Sequence, residues 1–569
     1  MKNIEICGIF REIANILEIK GDNPFRVRAY ERAAENIESL TGNIEDYVQE
    51  GRLSEISGIG HDLAEKITEF VKTGKIKSYN ELKKTIPKGL LDLLDIPQIG
   101  PKTVKLLYEK LKIKNLADLQ KAIEEKKLQG IPGIKEKTIE NIKRGIEIVK
   151  KGRQRMPLGF AIAAADEFTR LLKQIPAAEN VSVAGSLRRQ KETVRDIDIL
   201  VVSNQPQEIM DTFVKASSVK EILAEGITKS SVRTTDGLQV DCRVVEQKSY
   251  GAALIYFTGS KNFNIKLRAM AQKKGFKINE YGVFKQDRFI AGKTEQEIFK
   301  LLGLSFIEPE LREDNGEIEL AADNKLPRLI ELKDIKGDLH THSKWSDGRN
   351  TIEEMASAAK KKGYSYIAVT DHSQSLKVAK GLSIADLKKK KAEIDKINRK
   401  MKDFRILFGT EVDIDSQGNL DYKDEVLKEF DIVVAAIHTG FKQPKAQITK
   451  RLIKACKNKY TNIIAHPTGC LWGVREPYEV DFNEVFKAAS DTNTCMEINS
   501  FSDRLDLNSV HSRFAKEMGV RISIDTDSHA TAQLDMIKLG VAVARRGWLS
   551  KGDVVNTLGL KELFKVIKK

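Results

Sequence analysis

Cysteine is scarce in this chain of 569 residues, which contains only five, scattered as Cys7, Cys242, Cys456, Cys470 and Cys495. An odd number at irregular spacing argues against a disulfide framework and fits a reducing compartment. Long apolar runs are also missing, since none approaches the roughly 18 residues of a membrane span. The first residues lack the basic and apolar pattern of a signal peptide. We therefore expect a cytoplasmic protein that has no membrane partner.

Positive charge is what the chain has in excess. The formal charge is +15 at pH 7, which suits a polyanionic partner. The excess is spread over both halves, so charge alone is a weak argument for DNA. With 41% hydrophobic residues and this length, the chain can bury several cores, and we expect several domains. Nothing in the sequence suggests an obligate dimer, and we expect a monomer.

Two stretches in the first half predict a carboxylate centre. Residues 196–202 alternate in polarity as a β-strand does, which places Asp196 and Asp198 on one face. Residues 239–245 form a second alternating strand that can bring Asp241 beside them. Carboxylates that share divalent cations suit Mg²⁺ and phosphoryl transfer. A lone Asp-x-Asp could equally be an exposed strand edge, so the neighbouring motifs decide between the two interpretations.

A glycine-serine turn precedes these strands, in the stretch Gly185-Ser186-Leu187-Arg188-Arg189. Its backbone N–H groups and hydroxyl could bind phosphate, and the two arginines could add charge-assisted contacts. Farther along come Tyr256-Phe257-Thr258-Gly259-Ser260-Lys261-Asn262-Phe263-Asn264 and Ile278-Asn279-Glu280-Tyr281-Gly282-Val283-Phe284. With these motifs, residues 1–315 closely resemble the family X DNA polymerases.

That resemblance implies a role for each residue that matches the motifs. Two Mg²⁺ ions would be held by Asp196, Asp198 and Asp241. The incoming dNTP would be bound by Gly185, Ser186, Arg189, Tyr256, Phe257, Gly259 and Asn264, and the template side by Arg268. Lys261 stands where the best-known relative has an acidic residue near the base. The implied activity is DNA-directed synthesis that fills short gaps during repair.

Three short repeats in the first 150 residues resemble helix-hairpin-helix motifs. They are Ile56-Ser57-Gly58-Ile59-Gly60, Ile96-Pro97-Gln98-Ile99-Gly100 and Ile131-Pro132-Gly133-Ile134-Lys135. Glycine lets the turn adopt positive φ, and the free N–H groups of the following helix can face a DNA phosphate. Such contacts position DNA without reading its sequence. We expect DNA contacts from Gly58, Gly60, Gly100, Lys102 and Gly133, although Lys135 replaces the second glycine in the third copy.

The N-terminal helices resemble the small domain that grips the 5′-phosphate of a gap in these polymerases. The resemblance places Arg26 and Tyr30 at that phosphate and Lys66 at the Schiff-base position of the 5′-deoxyribose phosphate lyases. A lysine in a cationic pocket can lose its proton and attack an aldehyde. Asp62, however, replaces a neighbouring lysine, and an acid there favours protonated Lys66. The alternatives are a solvated basic helix face and an ordinary surface lysine.

The second half repeats a different pattern, in which an apolar run ends in a histidine or an acid. Strands that alternate with helices predict a parallel sheet, and about seven such units predict a distorted (β/α)7 barrel with its chemistry at the carboxyl ends of the strands. Residues 335–569 closely resemble the polymerase and histidinol phosphatase (PHP) domain. The resemblance gives nine ligands: His340, His342, Asp347, His372, Glu411, His438, His466, Asp527 and His529.

Mixed imidazole and carboxylate ligands suit Zn²⁺, Mn²⁺ or Fe²⁺ better than Mg²⁺ alone. The resemblance implies a 3′–5′ exonuclease, cleavage at abasic sites, or both. Asp371, Glu497 and Asp525 are better explained by hydrogen bonding within the barrel, and His61 and His511 receive no role. The partners that we expect are dNTPs and gapped or primer-template DNA with a 5′-phosphate.

The predicted architecture has an all-α helix-hairpin-helix region, an α+β nucleotidyltransferase palm and the C-terminal α/β barrel. The predicted segments are an N-terminal domain (1–85), a hairpin subdomain (86–150), the palm (151–250), a nucleotide-selecting subdomain (251–315), a polar linker (316–334) and the PHP domain (335–569). Two alternatives remain open. One is a nucleotidyltransferase that modifies RNA or a small molecule, and the other is a DNA-end-binding scaffold with a structural barrel.

Overall fold

The structure is a computed structural model, and it describes residues 2–38, 44–56, 58–87, 89–96, 99–129, 131, 134, 138–140, 142–143, 146, 155–472 and 475–567. Contacts divide the chain into two compact units. The first unit consists of Met1–Arg155, Asp236–Leu238 and Lys261–Lys277. The second consists of Met156–Thr235, Gln239–Ser260 and Ile278–Lys569.

The first unit is helical in its described residues. Its helices are α1 (Lys2–Lys20), α2 (Pro24–Glu38), α3 (Ile44–Gln49), α4 (His61–Thr73), α5 (Lys77–Lys83), α6 (Pro101–Leu111), α7 (Leu116–Glu124) and, later in the chain, α12 (Lys261–Lys273). Their apolar residues recur at helical spacing; in α4, Leu63, Ile67 and Phe70 are buried while the other face is charged. The prediction of a helical N-terminal region is confirmed.

The second unit begins with a mixed five-stranded sheet in the order β2-β4-β7-β6-β5. The strands up to residue 291 are β1 (Met156–Pro157), β2 (Asn180–Val183), β3 (Thr193–Val194), β4 (Asp196–Val202), β5 (Val219–Ala224), β6 (Lys229–Thr234), β7 (Gln239–Val245), β8 (Lys277–Asn279), β9 (Gly282–Lys285) and β10 (Arg288–Ala291). The helices of this part are α8 (Leu158–Lys173), α9 (Gly185–Arg188), α10 (Pro206–Val214), α11 (Tyr250–Thr258), α13 (Glu295–Leu301) and α14 (Glu317–Ala322). Strands β1 to β7 and helices α8 to α10 fall within residues 151–250 and have the α+β fold that the sequence predicts for the palm, and the elements after residue 250 fall in the segments predicted to follow it.

The rest of the second unit is the predicted barrel. Seven parallel strands follow one another in chain order: β11 (Gly337–Thr341), β12 (Tyr366–Val369), β13 (Arg405–Asp413), β14 (Ile432–Ala436), β15 (Ile463–Ile464), β16 (Cys495–Asn499) and β17 (Ile522–Asp525). The last strand returns to the first, because Thr341 bridges Ser528 in parallel and His342 N donates to Ser528 O at 2.8 Å. The strands are buried on both faces, as expected for parallel strands inside a layer of helices.

Helices cover the outside of this barrel. They are α15 (Ile352–Lys361), α16 (Ile384–Lys400), α17 (Asp424–Leu427), α18 (Lys445–Lys457), α19 (Phe482–Thr492), α20 (Ser509–Glu517), α21 (Ile537–Arg546) and α22 (Leu560–Ile567). The distorted (β/α)7 fold class is thereby confirmed. Among the described residues, no helix is both long enough and apolar enough to cross a membrane.

The segment 316–334 differs from the polar linker that we expected. It contains helix α14, whose Ile318 and Ala321 are buried. Glu317 is fully buried as well, and its carboxylate accepts backbone hydrogen bonds from residues 314 and 315, each at 2.7 Å. Ile330 N also donates to Leu549 O in the barrel at 3.0 Å. The polar composition hid a few apolar residues at packing positions, so this segment is a folded part of the unit.

Candidate active sites

The palm carboxylates lie on neighbouring strands of one sheet. Strands β4 and β7 are parallel, and their register pairs Asp198 with Asp241 and Asp196 with Gln239. Side chains two residues apart share a face, and directly paired residues of adjacent strands point the same way. Asp196, Asp198 and Asp241 therefore share one face of the sheet, as the alternating sequence predicts. All three are half-buried, which keeps them accessible to a substrate.

Gly185 allows the predicted phosphate turn to approach this face. Its φ is +61°, and a Cβ at this position would collide with the Asp198 carboxylate. Any other residue would be strained in this conformation and would push the turn away from the acid. Ala184 N, just before the turn, also donates to Asp198 O at 2.8 Å. Glycine is thus required here by both backbone conformation and space.

The like charges in the palm perturb one acid strongly. Burial, followed by the charges of Asp196 and Asp241, raises the pKa of Asp198 to about 7. Asp241 receives hydrogen bonds from Gln239 Nε2 at 3.1 and 3.2 Å. The ionised acids repel each other at neutral pH, so a bound divalent cation would relieve an unfavourable charge. This electrostatic state fits the predicted Mg²⁺ ligands.

The two arginines of the turn make contacts within the protein. Arg188 pairs with Glu295 through both terminal nitrogens, at 2.8 and 2.7 Å. Arg189 is 8% exposed; its Nε donates to Glu313 Oε1 at 2.9 Å and its Nη1 donates to Thr258 O. A triphosphate that contacts Arg189 through these two N–H groups would replace Glu313 and Thr258 O.

The predicted nucleotide-contacting residues fall in both units. Tyr256 and Phe257 end helix α11 with their rings 5.0 Å apart and nearly perpendicular, and Tyr256 is 38% exposed. Gly259 follows this helix with a φ of +69°. Asn264 and Arg268 are one turn apart on α12 in the first unit, where Arg268 Nε donates to Asn264 O at 3.3 Å. Their contacts with base and template remain predictions.

The three hairpin motifs have the same kind of turn. Ile59 N, Ile99 N and Ile134 N each donate to the carbonyl three residues earlier, and each distance is 3.0 Å. Gly60 and Gly100 are the N-cap residues of α4 and α6. Because glycine has no side chain, the first N–H groups of these two helices have no side-chain cap. Gly58 adopts a φ of +78°, and the Lys102 side chain is 87% exposed. Gly133 lies outside the described residues.

The residues predicted to grip a 5′-phosphate are placed differently from one another. Arg26 is exposed and pairs with Asp22 at 3.1 Å, whereas Tyr30 is 3% exposed with its ring packed against Phe10. This burial makes Tyr30 a core residue and gives no support to its predicted phosphate contact. Lys66 Nζ donates to Asp62 Oδ1 at 2.5 Å, so the amine that would attack an aldehyde is held by an acid.

Glu411 lies at the centre of the barrel cluster, at the carboxyl ends of the strands. Its Oε1 is 3.2 Å from His438 Nε2 and 3.0 Å from His466 Nε2. Its Oε2 is 3.4 Å from His340 Nε2, 3.5 Å from His342 Nε2 and 2.8 Å from His372 Nδ1. Asp527 Oδ1 lies 3.1 Å from His342 Nε2, and Asp347 Oδ1 lies 3.4 Å from His529 Nε2. All nine predicted ligands thus converge on one cavity.

Within this cluster, three groups bring their ligand atoms within 4.8 Å of one another. They are His342/Asp347/His372/His529, His340/His342/Asp527 and His372/Glu411/His438. Several buried atoms make no hydrogen bond: His340 Nε2, both ring nitrogens of His342, His372 Nδ1, Glu411 Oε2 and His466 Nδ1. Buried polar atoms without a partner are uncommon, and divalent ions bound among these atoms would supply the missing partners. The residues present therefore fit a cluster of divalent metal ions.

The electrostatics and backbone of the cluster are unusual for its residue types. Burial, followed by the charges of His529 and His372, lowers the pKa of His342 to about 4. Although burial opposes it, the charge of Glu411 raises the pKa of His372 to about 10 and that of His438 to about 9, so a metal ion that binds there would displace their protons. His466 and Asp527 adopt positive φ values of +29° and +53°, which are uncommon for residues other than glycine. Such conformations collect at functional sites, where the surrounding structure holds them in place.

Acidic residues behind the ligands orient the histidine rings. Glu497 Oε1 lies 2.7 Å from His340 Nδ1, and Asp413 Oδ1 lies 2.5 Å from His438 Nδ1. Metal-bound histidines usually donate their second ring N–H to such an acceptor. Asp371 and Asp525 bond within the barrel, as expected. Sequence reasoning missed Asp413, although its position two residues after Glu411 on one strand was a usable signal.

Arg504 is a second residue that the sequence analysis missed. Its Nε lies 3.6 Å from Asp527 Oδ2, and its side chain is 16% exposed. It follows strand β16 in an irregular segment, where no periodicity marks it. A guanidinium beside a metal cluster is suited to bind a phosphodiester oxygen. Arg504 therefore belongs with the candidate site.

Family models match four parts of the chain. The DNA polymerase beta thumb matches residues 253–313, and the PHP domain matches residues 338–500. A helix-hairpin-helix domain matches residues 1–76, and a SAM-like helix-hairpin-helix tandem matches residues 90–147. These matches cover the hairpin motifs, the thumb and seven of the nine expected barrel ligands, whereas Gly185, Asp196, Asp198 and Asp241 lie between the matched ranges.

Similar curated proteins extend the comparison over the whole chain. DNA polymerase/3′-5′ exonuclease PolX of Bacillus subtilis (strain 168) is 40% identical over 573 residues, which span 100% of both chains. A probable phosphatase of Thermoanaerobacter sp. (strain X514) is 33% identical over 39% of this chain and 89% of its own length. DNA polymerase lambda of Arabidopsis thaliana is 27% identical over 54% of this chain and 62% of its own length. With both candidate centres in place and similarity that runs from end to end, the chain belongs to the PolX family of family X DNA polymerases, which carry a C-terminal PHP domain.

Proposed function

We propose that the palm centre fills short gaps in DNA and that the barrel centre trims 3′ ends or cuts abasic sites. One observation carries this proposal. A single chain contains an all-carboxylate centre on β4 and β7 and a separate centre rich in imidazole at the carboxyl ends of the barrel strands. The first set suits Mg²⁺ and phosphoryl transfer, and the second suits Zn²⁺ or Mn²⁺ and phosphodiester hydrolysis.

In the palm, Asp196, Asp198 and Asp241 would hold Mg²⁺, which when bound neutralises the triphosphate and aligns the reacting oxygens. The Gly185-Ser186 turn binds the triphosphate beside them. The primer 3′-oxygen forms a bond to the α-phosphorus, the bond between the α-phosphorus and the bridging oxygen breaks, and pyrophosphate leaves. Asp241, which is paired with Asp198 across strands β7 and β4, accepts the hydroxyl proton.

In the barrel, the nine ligands would hold Zn²⁺ or Mn²⁺, which when bound acidifies a water molecule and offsets phosphate charge. Arg504 binds a non-bridging oxygen of the scissile phosphate. The water oxygen bonds to phosphorus while the bond to the 3′-oxygen of the preceding nucleotide breaks. Asp347 is the exposed residue of its group, so a DNA end would approach the cluster from the side of Asp347.

The hairpin turns of the first unit would hold the duplex by its phosphates. Gly60, Gly100 and Lys102 present N–H groups and a charge without base contacts, which is appropriate for repair at any sequence. The partners are gapped or primer-template DNA and dNTPs, with the enzyme acting as a monomer. All five cysteines are buried thiols outside disulfide bonds, which supports a cytoplasmic location.

A second candidate function is removal of a 5′-deoxyribose phosphate. An open groove of about 700 Å³ on helix α4 is lined by Lys66, Lys72 and Ser78 among others, and it could hold a sugar phosphate. The ion pair with Asp62 opposes attack by Lys66. Asp62→Asn should therefore increase borohydride trapping of an abasic 5′ end, and Lys66→Ala should abolish it. Equal trapping by wild type and Lys66→Ala would exclude this function.

The main proposal is tested with a gapped duplex, dNTPs and Mg²⁺ or Mn²⁺. We expect the labelled primer to be extended when dNTPs are present and shortened when they are absent. An RNA primer and a small-molecule nucleotide acceptor serve as controls for the alternative transferase. Preference for either acceptor over gapped DNA, or a primer that changes length in neither direction, would overturn the proposal.

A further inference from the structure

Helix α21 of the barrel ends against the palm at the predicted triphosphate turn. Its last residue, Arg546, has a side chain that is only 7% exposed. Arg546 Nη1 donates to Arg189 O at 2.8 Å, just after the short helix that begins at Gly185. The same nitrogen lies 3.1 Å from Glu313 Oε1. A barrel residue thus contacts both the backbone and the acidic partner of a predicted dNTP-binding arginine.

Glu313 is shared by three cations. Its Oε1 accepts from Arg189 Nε at 2.9 Å, lies 3.1 Å from Arg546 Nη1 and lies 3.9 Å from Lys191 Nζ. Although burial raises the pKa of Glu313, Arg189 and Arg546 together hold it below the usual value, so this carboxylate is charged. A buried charge is costly when its partner is removed. Arg546 and Lys191 therefore decide how costly it is for Arg189 to leave.

Two of the five N–H groups of the Arg189 guanidinium are in use. Nε donates to Glu313 and Nη1 donates to Thr258 O, so a phosphate that binds through these groups must replace Glu313 and Thr258 O. When Arg189 turns to the triphosphate, Glu313 keeps Arg546 as a partner. The hydrogen bond from Arg546 to Arg189 O also holds the main chain that leads out of the phosphate turn.

We propose that Arg546, a residue of the PHP domain, is a positioning residue for dNTP binding in the palm. It holds the main chain at Arg189 and neutralises Glu313, so that the Arg189 side chain can exchange Glu313 for the incoming triphosphate. The inference rests on the proposed role of the Gly185–Arg189 turn. It links the two catalytic parts without any contact between their metal sites.

The test measures KM for dNTP, kcat and exonuclease rate for the full chain on a gapped duplex. Arg546→Ala should raise KM for dNTP about tenfold, which corresponds to about 1.4 kcal/mol. Its kcat should change less, and the exonuclease should match the wild type. Arg546→Lys should recover part of the KM, because it keeps the charge and loses the planar fork. In a Glu313→Gln background, the effect of Arg546→Ala should shrink, since no charged acid then retains Arg189.

Arg545→Ala is the matched control. Arg545 precedes Arg546 on the same helix, and it bonds to Glu310 at 2.7 Å and to Ile330 O at 3.0 Å without contacting the phosphate turn. A tenfold KM increase in Arg545→Ala as well would indicate general loosening of the barrel and overturn the inference, as would an unchanged KM in Arg546→Ala. If Arg546→Ala does not fold, the same measurement of KM for dNTP on Arg546→Gln tests the inference. Loss of extension in Asp198→Ala with normal KM in the Arg546 variants would leave the proposed function standing and reject only this inference.

Discussion

The palm centre and the barrel centre differ in the burial and the charge of the side chains that they would offer to cations. In the palm, three half-buried aspartates on two strands repel each other, and burial and like charge raise the pKa of Asp198 to about 7. In the barrel, His340, His342 and Glu411 are at most 1% exposed, and each acid faces several imidazoles. In the palm the acids face one another and Arg243 and Arg189 offset only part of their effect on Asp198, whereas in the barrel the acids face imidazoles.

This difference indicates how each site is used. The described residues bring three or more ligand atoms within 4.8 Å of one another only in the barrel, where acids behind the histidines hold the rings in place. Such a preorganised set suits metal ions that stay bound between turnovers. The open palm acids suit ions that arrive with the triphosphate and leave with pyrophosphate, because the substrate supplies the remaining oxygen ligands.

The largest expected effect separates the two centres. Asp198→Ala should reduce primer extension at least about a thousandfold and spare shortening, and His340→Ala should do the reverse, because each removes a ligand of one centre only. Both activities are measured on one gapped duplex. Asp211→Ala, on a palm helix, and His61→Ala, with a side chain that is 90% exposed, are the controls. Loss of both activities in either active-site variant would contradict two independent centres.

Metal removal should sharpen the contrast between exchangeable and resident ions. After chelation and dialysis, Mg²⁺ alone should restore extension within mixing time, and shortening should stay low until Mn²⁺ or Zn²⁺ is added. The chelated protein should also melt several degrees lower, because the buried barrel ligands lose their partners. Metal content, melting temperature and both activities are measured on the same samples. Immediate recovery of shortening with Mg²⁺ alone would remove the distinction.

A smaller effect is expected from the residues behind the ligands. Asp413→Asn should weaken metal binding or shortening about 10–100-fold, because His438 loses the carboxylate that orients its ring. Asp421→Asn is closely matched, since Asp413 and Asp421 both bond to Ser375, yet only Asp413 also contacts a ligand. Extension should be normal in both variants. Equal shortening by the two variants would show that the histidine contact does not matter.

The features of the fold that were predicted correctly depend on local repetition. The residues that we expect as barrel ligands follow apolar strands, and Asp196 and Asp198 follow the period of two, so short windows of sequence contain the signal. Their roles as metal ligands stay predictions. Arg504 and Arg546 have no such signal. Arg546 meets Arg189 across 357 positions of sequence, and only the fold brings them together.

In two places tertiary packing gives a structure that differs from the one that we expected. Tyr30 lies on a helix with basic neighbours, but its ring fills the core beside Phe10. The segment 316–334 is polar in composition, although its few apolar residues are buried against the rest of the unit. In both cases the structure depends on the burial of one or a few side chains, which composition does not reveal.

The smallest expected effect concerns stability and charge in the palm. The folded-state pKa of Asp198 is about 7, above the ordinary value of 3.8, so the folded protein binds a proton there that the unfolded chain releases. Stability should therefore fall as the pH rises from about 4 to about 7, and Asp198→Asn should escape this loss. Without divalent ions at pH 8, the variant should exceed the wild type by on the order of 1 kcal/mol or more, since one pKa unit corresponds to about 1.4 kcal/mol.

Melting temperatures of chelated wild type, Asp198→Asn and the half-buried control Asp211→Asn, at pH 5 and pH 8, measure this effect. The advantage of Asp198→Asn should be larger at pH 8 and should reverse when Mg²⁺ and dNTP are added, because only the wild type then gains from binding. A variant less stable than the wild type at pH 8 without metal would mean that the palm acids are already compensated within the protein. The two centres would then differ in ligand type alone, and the palm would need no arriving ion to relieve its charge.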